Sequence, residues 1–349
     1  MHARNEFLLA SFLFLNPIVH HQPVPATRAS ENSAATQAHA SPQIFEPGVI
    51  SGPANDGSPT LTPDGKTIFF TRAGATWSII VESHRTGDHW SEPQIAPFSG
   101  GWVDLHPALS ADGSYLVFVS LRPAAPNAAR GIPTTSATPG GVASLWRVNR
   151  ANHGWSEPVR LPETVNFCPR IFKPSLAADG SVYFMAQLEG QKFRLFRSQY
   201  ASGTYAKAEP LPFSDGVTND VDPEVARDES FLLFSSDGRR SGDASHEHLY
   251  IAYNKDGAWS EVVPVHDSGD DTAEPSNEND AHLSADQRAL YFSSDRTMSV
   301  QFPRTREQAK EDLERLRSWD NGNFNVWFMP LAPLLNAEKI EQKAGSKIK

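Results

Sequence analysis

Ser58-Pro59-Thr60-Leu61-Thr62-Pro63-Asp64-Gly65, followed by Thr67-Ile68-Phe69-Phe70, is the stretch that decides the fold. Asp-Gly between two apolar or β-branched runs marks a tight hairpin. The carboxylate bonds the backbone two residues on, and Gly takes the positive φ that the turn needs. The unit recurs as His106-Pro107-Ala108-Leu109 before Asp112-Gly113 and Tyr115-Leu116-Val117-Phe118. It returns as Lys173-Pro174-Ser175-Leu176 before Asp179-Gly180, as Asp222-Pro223-Glu224-Val225 before Asp228-Glu229, and as Asp280-Ala281-His282-Leu283 before Asp286-Gln287. The turn aspartates are 48, 67, 49 and 58 residues apart. Where Glu229 and Gln287 replace Gly, the turn must be strained or differently shaped.

A third strand follows each hairpin: Trp77-Ser78-Ile79-Ile80-Val81, Leu145-Trp146-Arg147-Val148, Phe193-Arg194-Leu195-Phe196, Leu249-Tyr250-Ile251-Ala252 and Val326-Trp327-Phe328-Met329. Four of these lead to a fourth strand opened by Trp90-Ser91-Glu92-Pro93, Trp155-Ser156-Glu157-Pro158, Tyr205 to Glu209-Pro210, and Trp259-Ser260-Glu261. Four antiparallel strands per unit at such periods predict a β-propeller, in which radial closure protects the sheet edges. The reading is an all-β, five-bladed propeller over 43–333, with six blades the alternative if 121–143 or 295–323 holds a degenerate unit. The fifth unit lacks its own fourth strand. The segment from Gln43 to Ile50 resembles the missing piece and is expected to close the last blade.

The composition agrees. Of 349 residues, 27 are Pro and 23 Gly, and 31 Lys+Arg against 41 Asp+Glu give a net charge of -10. No basic run tracks phosphates, so neither nucleic acid nor an anionic membrane is the expected partner. One cysteine, Cys168, excludes an internal disulfide and a Cys-rich zinc site. Phe7 to Leu15 is a nine-residue apolar run behind Arg4, short of the roughly 20 residues that span a bilayer, and reads as an export signal over 1–29. A flexible linker is expected over 30–42, a polar tail over 334–349, and the location is periplasmic or secreted, as a monomer.

The pattern Pro-x-Leu-Ser/Thr-x-Asp-Gly before an aromatic strand, then Trp-Ser-Glu-Pro, resembles the WD-like repeat of TolB-like propellers. It is nearest in Asp228 to Ser236 with Asp256 to Glu261. The resemblance covers roughly residues 43 to 333 and implies the fold, not a function, because propellers host binding modules, hydrolases and lyases alike.

In this strand order the second-to-third connections, Arg122 to Gly141, Asp237 to Glu247 and Asp295 to Asn323, share one face with the starts of the inner strands, while the opposite turns stay short. Long loops on a rigid scaffold carry recognition. The candidate ligand residues on that face are Asp104, His106, Arg170, Lys173, Asp220, Asp222, Asp280 and His282, with Arg122, Arg239 and Arg296 at the strand exits. Trp102 and Trp319 are candidates for ligand stacking. Competing with ligand recognition is a structural reading, in which these acids cap turns and pair with the arginines to hold the blades. His246 and His248 are two residues apart and offer two imidazoles, but no third ligand is fixed by spacing, so neither metal nor cofactor is expected. The Trp residues opening the fourth strands fit packing between blades better than carbohydrate stacking. Thr305-Arg306-Glu307-Gln308 is a capping box, and Ala309, Leu313 and Leu316 form a helical stripe. These predict one helix over 305–318, either a lid held by that stripe or a rim decoration. The functional expectation is a non-catalytic exported propeller binding a protein or cell-envelope glycan through its long-loop face. The alternatives are a hydrolase or lyase acting on a polysaccharide, and a scaffold of an envelope complex.

Overall fold

The computed structural model describes residues 42–124, 142–239, 246–265 and 276–332. The expected signal segment, most of the linker and the C-terminal tail lie outside these residues. Five antiparallel blade sheets and one small ribbon, Tyr200–Ala201 with Thr204–Tyr205, make up the described strands; each blade runs inner to outer through consecutive strands except the last, whose outer strand is Gln43–Ile44. The inner strands are Asn55–Leu61, Asp104–Leu109, Ile171–Leu176, Asn219–Val225 and Glu278–Leu283, and each contacts the inner strands of its two neighbours, the fifth returning to the first. The result is a closed ring of five blades, as the repeats predict.

The second strands, Thr67–Ala73, Tyr115–Ser120, Val182–Gln187, Phe231–Asp237 and Ala289–Ser294, are the most buried part of the chain. Their β-branched and aromatic residues are covered on both sides because each blade lies on the next. Ile68, Leu116, Val182, Leu232 and Leu290 are fully buried at equivalent positions. Outer strands are short and interrupted: His89–Trp90 and Gln94–Ile95 both pair with the third strand Ser78–Thr86. The serine of each Trp-Ser-Glu unit bridges the break. Ser91, Ser156 and Ser260 Oγ accept the N–H of His84, Asn149 and Tyr253, each at 3.0 Å. The tryptophans pack between blades, Trp155 on Phe69 of the preceding blade at 5.7 Å and Trp259 on Tyr183 at 6.4 Å.

Closure runs through Gln43–Ile44, which pairs with Phe328 and Trp327. The pairing strand is shorter than the expected stretch to Ile50. After Phe45 N–H donates to the Val326 carbonyl, the chain turns at Glu46 and buries Ile50 completely. Phe45 then sits edge-on to Trp90, Tyr291 and Phe328, at 6.0, 5.3 and 5.8 Å, and joins the first blade to the last.

Glu229 and Gln287 take the left-handed conformation of the glycines they replace, with φ of 57° and 54°. Each uses its side chain to hold the preceding blade. Glu229 accepts Tyr183 O–H at 2.9 Å and Arg197 Nε–H at 2.8 Å, and Gln287 accepts the N–H of Arg227 at 3.2 Å. The capping box forms as read, with Thr305 capping the helix Arg306–Arg315. Its apolar stripe does not pack: Leu313 and Leu316 are 62% and 61% exposed. The helix is tethered instead through Arg315, which pairs with Asp320 at 2.5 Å, so it decorates the rim and no stripe holds it down as a lid. No helix among the described residues is long and apolar enough to cross a membrane.

Candidate functional site

Every inner strand breaks register once, between Gly57/Thr60, Leu105/Ala108, Phe172/Ser175, Val221/Glu224 and Asn279/His282. Each bulge holds one non-glycine residue with positive φ: Ser58 at 48°, His106 at 52°, Lys173 at 46°, Asp222 at 53° and Asp280 at 53°. Such residues cost of order 1–3 kcal/mol each and persist where the surroundings over-determine them. In four blades a proline follows, removing a donor that a bulge cannot pair. The five bulges meet on the axis of the ring.

Asp280 is the hub. Its Oδ2 accepts Ser293 Oγ–H at 3.1 Å, while His106 Nε2 and Lys173 Nζ stand 3.7 and 3.8 Å from Oδ1. Ser293 Oγ in turn accepts the N–H of Ser58 at 3.2 Å, bringing in the first blade. A Cβ on Gly57 would lie 2.5 Å from Ser293 Oγ, so only glycine lets that hydroxyl approach. Lys173 is buried to 2% exposure, and its backbone N–H donates to His106 Nδ1 at 3.2 Å. Among the described residues Asp222 accepts only the N–H of Asp280, at 3.4 Å.

These contacts fix protonation. Burial, opposed by Asp280 and reinforced by Lys173, lowers the His106 pKa to about 4, so the ring is neutral at pH 7. Because Nδ1 accepts, the proton resides on Nε2 and points to Asp280. Burial, then the Asp280 and Glu247 charges, push Asp222 well above the ordinary carboxylate range. Asp280 lies below it: burial opposes ionisation, but Lys173, His106 and the serine hydroxyls outweigh it. Two neighbouring carboxyls are thus pushed in opposite directions, Asp222 toward its protonated form and Asp280 toward its ionised form.

One ligand atom each from His106, Asp222 and Asp280 lies within 4.8 Å of the others, a spacing that a cation could bridge. The chemistry of the set argues otherwise. A metal-bound imidazole donates from its second nitrogen, whereas His106 accepts there and keeps its proton on the atom facing the acids. The Lys173 ammonium already offsets the Asp280 charge. The trio is an acid–base cluster held at ion-pair distance.

Two residues further along each inner strand a second layer forms. His282 Nδ1 lies 3.1 Å from Glu224 Oε1, and Ser175 Oγ–H donates to Glu224 Oε2 at 2.8 Å. His282 and Lys173 hold the Glu224 pKa down although burial pushes it up. A cavity of about 30 Å³ lies below this layer, room for a water-sized guest.

The other candidates fall outside the axis. Asp104 pairs with Arg122 at 2.9 Å and Asp220 with Arg239 at 2.6 Å, each acid fully buried and each arginine stacked on a second-strand aromatic, Phe118 or Phe234. Asp56 with Arg72 repeats the arrangement at 2.6 Å, and Glu278 with Arg296 completes it in the fifth blade. These are clasps between the start of an inner strand and the exit of the second. In the third blade the equivalent position is Ile171, fully buried. Arg170 lies over Phe193 at 5.4 Å, and Trp319 packs edge-on to Trp327 at 5.7 Å. Trp102 is half-buried in the segment before Asp104, while His246 and His248 flank the start of a third strand, Glu247 between them. The structure therefore joins His106, Lys173, Asp222 and Asp280, sets His282 one layer below, and separates the rest. Sequence reasoning missed Ser58, Ser293, Glu224 and Glu247. Ser58 and Glu224 occupy the repeat positions of His106 and His282, and aligning the five units would have found both.

No family model and no curated protein matches the chain. Solved structures do. The α-L-arabinofuranosidase of Lactobacillus brevis superimposes with a TM-score of 0.52 at 11% identity over 81% of this chain and 92% of that one. TolB of Acinetobacter baumannii gives 0.43 at 14% identity over 79% of this chain, which spans 54% of that structure. A protein of unknown function from Dyadobacter fermentans gives 0.46 at 14% over 74% and 80%. The chain is a five-bladed propeller. At these identities the likeness is one of architecture.

Proposed function

We propose that this protein is a non-catalytic, exported recognition module that binds a polyhydroxylated ligand, a cell-envelope glycan, at the mouth of the channel on the long-loop face. One observation carries the reading. Asp280 Oδ1 is buried and accepts no direct hydrogen bond among the described residues, and its two nearest donors stand off at 3.7 and 3.8 Å. A carboxylate oxygen so placed is an acceptor for a ligand hydroxyl, and Asp222 beside it, pushed toward its protonated form, would add a donor. Export rests on the apolar run Phe7 to Leu15, and the partner class on the long loops around the mouth.

A second reading, a glycan hydrolase, is favoured by the opposite shifts of Asp222 and Asp280, the pattern of an acid and a base set apart by environment. A solved structure of similar fold carries the name of an arabinofuranosidase. One oxygen of each acid lies within 4.8 Å of the other, so the two carboxyls stand close together, and turnover tells the two readings apart. The test measures binding and turnover of N-acetylglucosamine, β-glucan and mannan oligosaccharides by the wild type, Asp280→Asn and Asp222→Asn. Binding without turnover, abolished in Asp280→Asn and kept in Asp222→Asn, supports the module. Turnover lost in Asp222→Asn replaces it with the hydrolase, and no binding by the wild type ends both. Should Asp280→Asn fail to fold, Ser293→Ala serves in its place.

A further inference from the structure

The face opposite the long loops carries a groove of about 540 Å³ between the first and last blades, within the roughly 300–1,000 Å³ of small-molecule sites. It starts at the lower end of the channel, sharing Leu61, Arg227, Ser284 and Ala285 with the small axial cavity, and runs outward to the closure. Its shape is that of a trough for a chain. Phe45, Trp90 and Tyr291 line its outer end, all half-buried with their rings set edge to face.

The polar lining is of two kinds. Asp64 and Asp286 come from the Asp-Gly and Asp-Gln turns, where Oδ1 of each is occupied: Asp64 by Thr62 O–H and Lys66 N–H, Asp286 by Ser284 O–H and Arg288 N–H. These bonds lower both pKa values; Asp64 keeps Oδ2 for a partner outside its turn, while Asp286 Oδ2 faces Arg288 Nε of its own turn at 3.9 Å, both side chains largely exposed. Arg227 is the second kind. Its backbone is stapled to Gln287 and Ala178, yet among the described residues its guanidinium pairs with no carboxylate. Arg85, at the other end, meets only the exposed Asp88 at 3.6 Å.

We infer that this groove binds a neutral oligosaccharide, with sugar rings on the aromatic end, hydroxyls donating to Asp64 and Asp286, and Arg227 donating to ring and hydroxyl oxygens near the channel. The C–H faces of a sugar suit the negative faces of aromatic rings. Three carboxylates, with Glu46, against two guanidiniums leave no dominant sign, so acceptors and donors alternate along the trough, as a polyol requires. The site is independent of the channel mouth and lies on the other face.

The experiment titrates the full chain with cellotetraose, xylotetraose and chitotetraose, and with tetragalacturonate and the chitosan tetramer as charged controls, by calorimetry. Saturable binding of a neutral tetrasaccharide is expected, weakened at least about tenfold by Arg227→Met, the effect of losing charge-assisted hydrogen bonds. Arg227→Met leaves the backbone staples intact and should fold. Trp90→Phe keeps the packing, narrows the ring platform and should weaken binding less. Binding that persists in Asp280→Asn assigns it to this groove and not to the channel mouth. The inference is overturned if no neutral tetrasaccharide binds, if Arg227→Met binds as the wild type does, or if a charged control binds more tightly than every neutral one.

Discussion

Replacing Lys173 with Met keeps the volume and the strained backbone of the third bulge but removes the cation at the centre of the ring. Lys173 Nζ lies 3.8 Å from Asp280 Oδ1 and is 2% exposed. Two unit charges at that distance with an effective dielectric of about 20 attract by about 4 kcal/mol. Removing one partner of a buried pair typically costs about 3–5 kcal/mol, because the other charge stays behind without water. Asp280 keeps His106 and Ser293, which are neutral, so the expected loss in Lys173→Met at pH 7.5 is about 3–4 kcal/mol, read from urea unfolding at unchanged m. The pH dependence is the sharper check. In the wild type the lowered Asp280 pKa stabilises the fold above the unfolded value near 4, and that stability is lost as pH falls through the folded value. Without Lys173 the folded pKa of Asp280 rises, and His106, relieved of the ammonium that lowers its own pKa, gains a proton more readily. Both changes neutralise the buried carboxylate as the solution is acidified. The gap between wild type and variant should therefore narrow from pH 7.5 to about 4.5. A loss under about 1 kcal/mol at pH 7.5, or a gap indifferent to pH, refutes the axial ion pair.

Asp222→Asn should act in the opposite sense. A carboxyl whose folded pKa is raised loses stability as pH climbs from its unfolded toward its folded value, so the amide is expected to stabilise by about 1 kcal/mol or more at pH 8 and by nothing near pH 4, in paired melting curves. The clasps predict a non-additive pair: Arg122→Met leaves Asp104 buried and uncompensated at a cost of about 3 kcal/mol, whereas Asp104→Ile with Arg122→Met, copying Ile171 of the third blade, costs less than the single change. A double variant weaker than the single one would count against the clasp. Phe45→Ala, which empties the meeting point of Trp90, Tyr291 and Phe328, should cost about 2–4 kcal/mol and raise hydrogen exchange first at Gln43–Ile44 and Val326–Phe328; uniform loss of protection around the ring would show that closure is not where the ring opens.

What the sequence displays is what local chemistry dictates. The turns at Asp64, Asp112 and Asp179 announce themselves because an Asp side chain and a Gly φ are enough to make them. The capping box at Thr305 and Gln308 is visible for the same reason, since both partners lie within one turn of helix. The destination of the Leu313 and Leu316 stripe is a tertiary matter, and the spacing that predicts a helix says nothing of what it lies against. The charged residues on the long-loop face look alike in sequence, all near strand ends. Burial sorts them: Asp104 and Asp220, two positions before the bulge, turn into their own blade and meet an arginine, while the bulge residues converge on the axis. The bulge itself follows from a one-residue register slip, which has no local signature beyond the proline after it.

The internal repeat separates structural from particular demands within one chain. A position that serves its own blade should carry the same chemistry wherever the blade recurs, and the clasp does so in four of five, as Asp56, Asp104, Asp220 and Glu278, with Ile171 a fully buried apolar substitute. The bulge position obeys no such rule. It holds Ser58, His106, Lys173, Asp222 and Asp280, five strained residues in one geometry with only one repeated identity. If the axis needed only filling, glycine would meet the backbone demand at less strain and without burying charge. Instead a cation, a neutral imidazole, and two acids pushed in opposite directions are placed around a common centre, so that each depends on groups from other blades. Such a set belongs to the ring as a whole, and among the described residues two of its buried oxygens, Ser58 Oγ and Asp280 Oδ1, have no direct hydrogen-bond partner; the second is where a ligand hydroxyl would complete it.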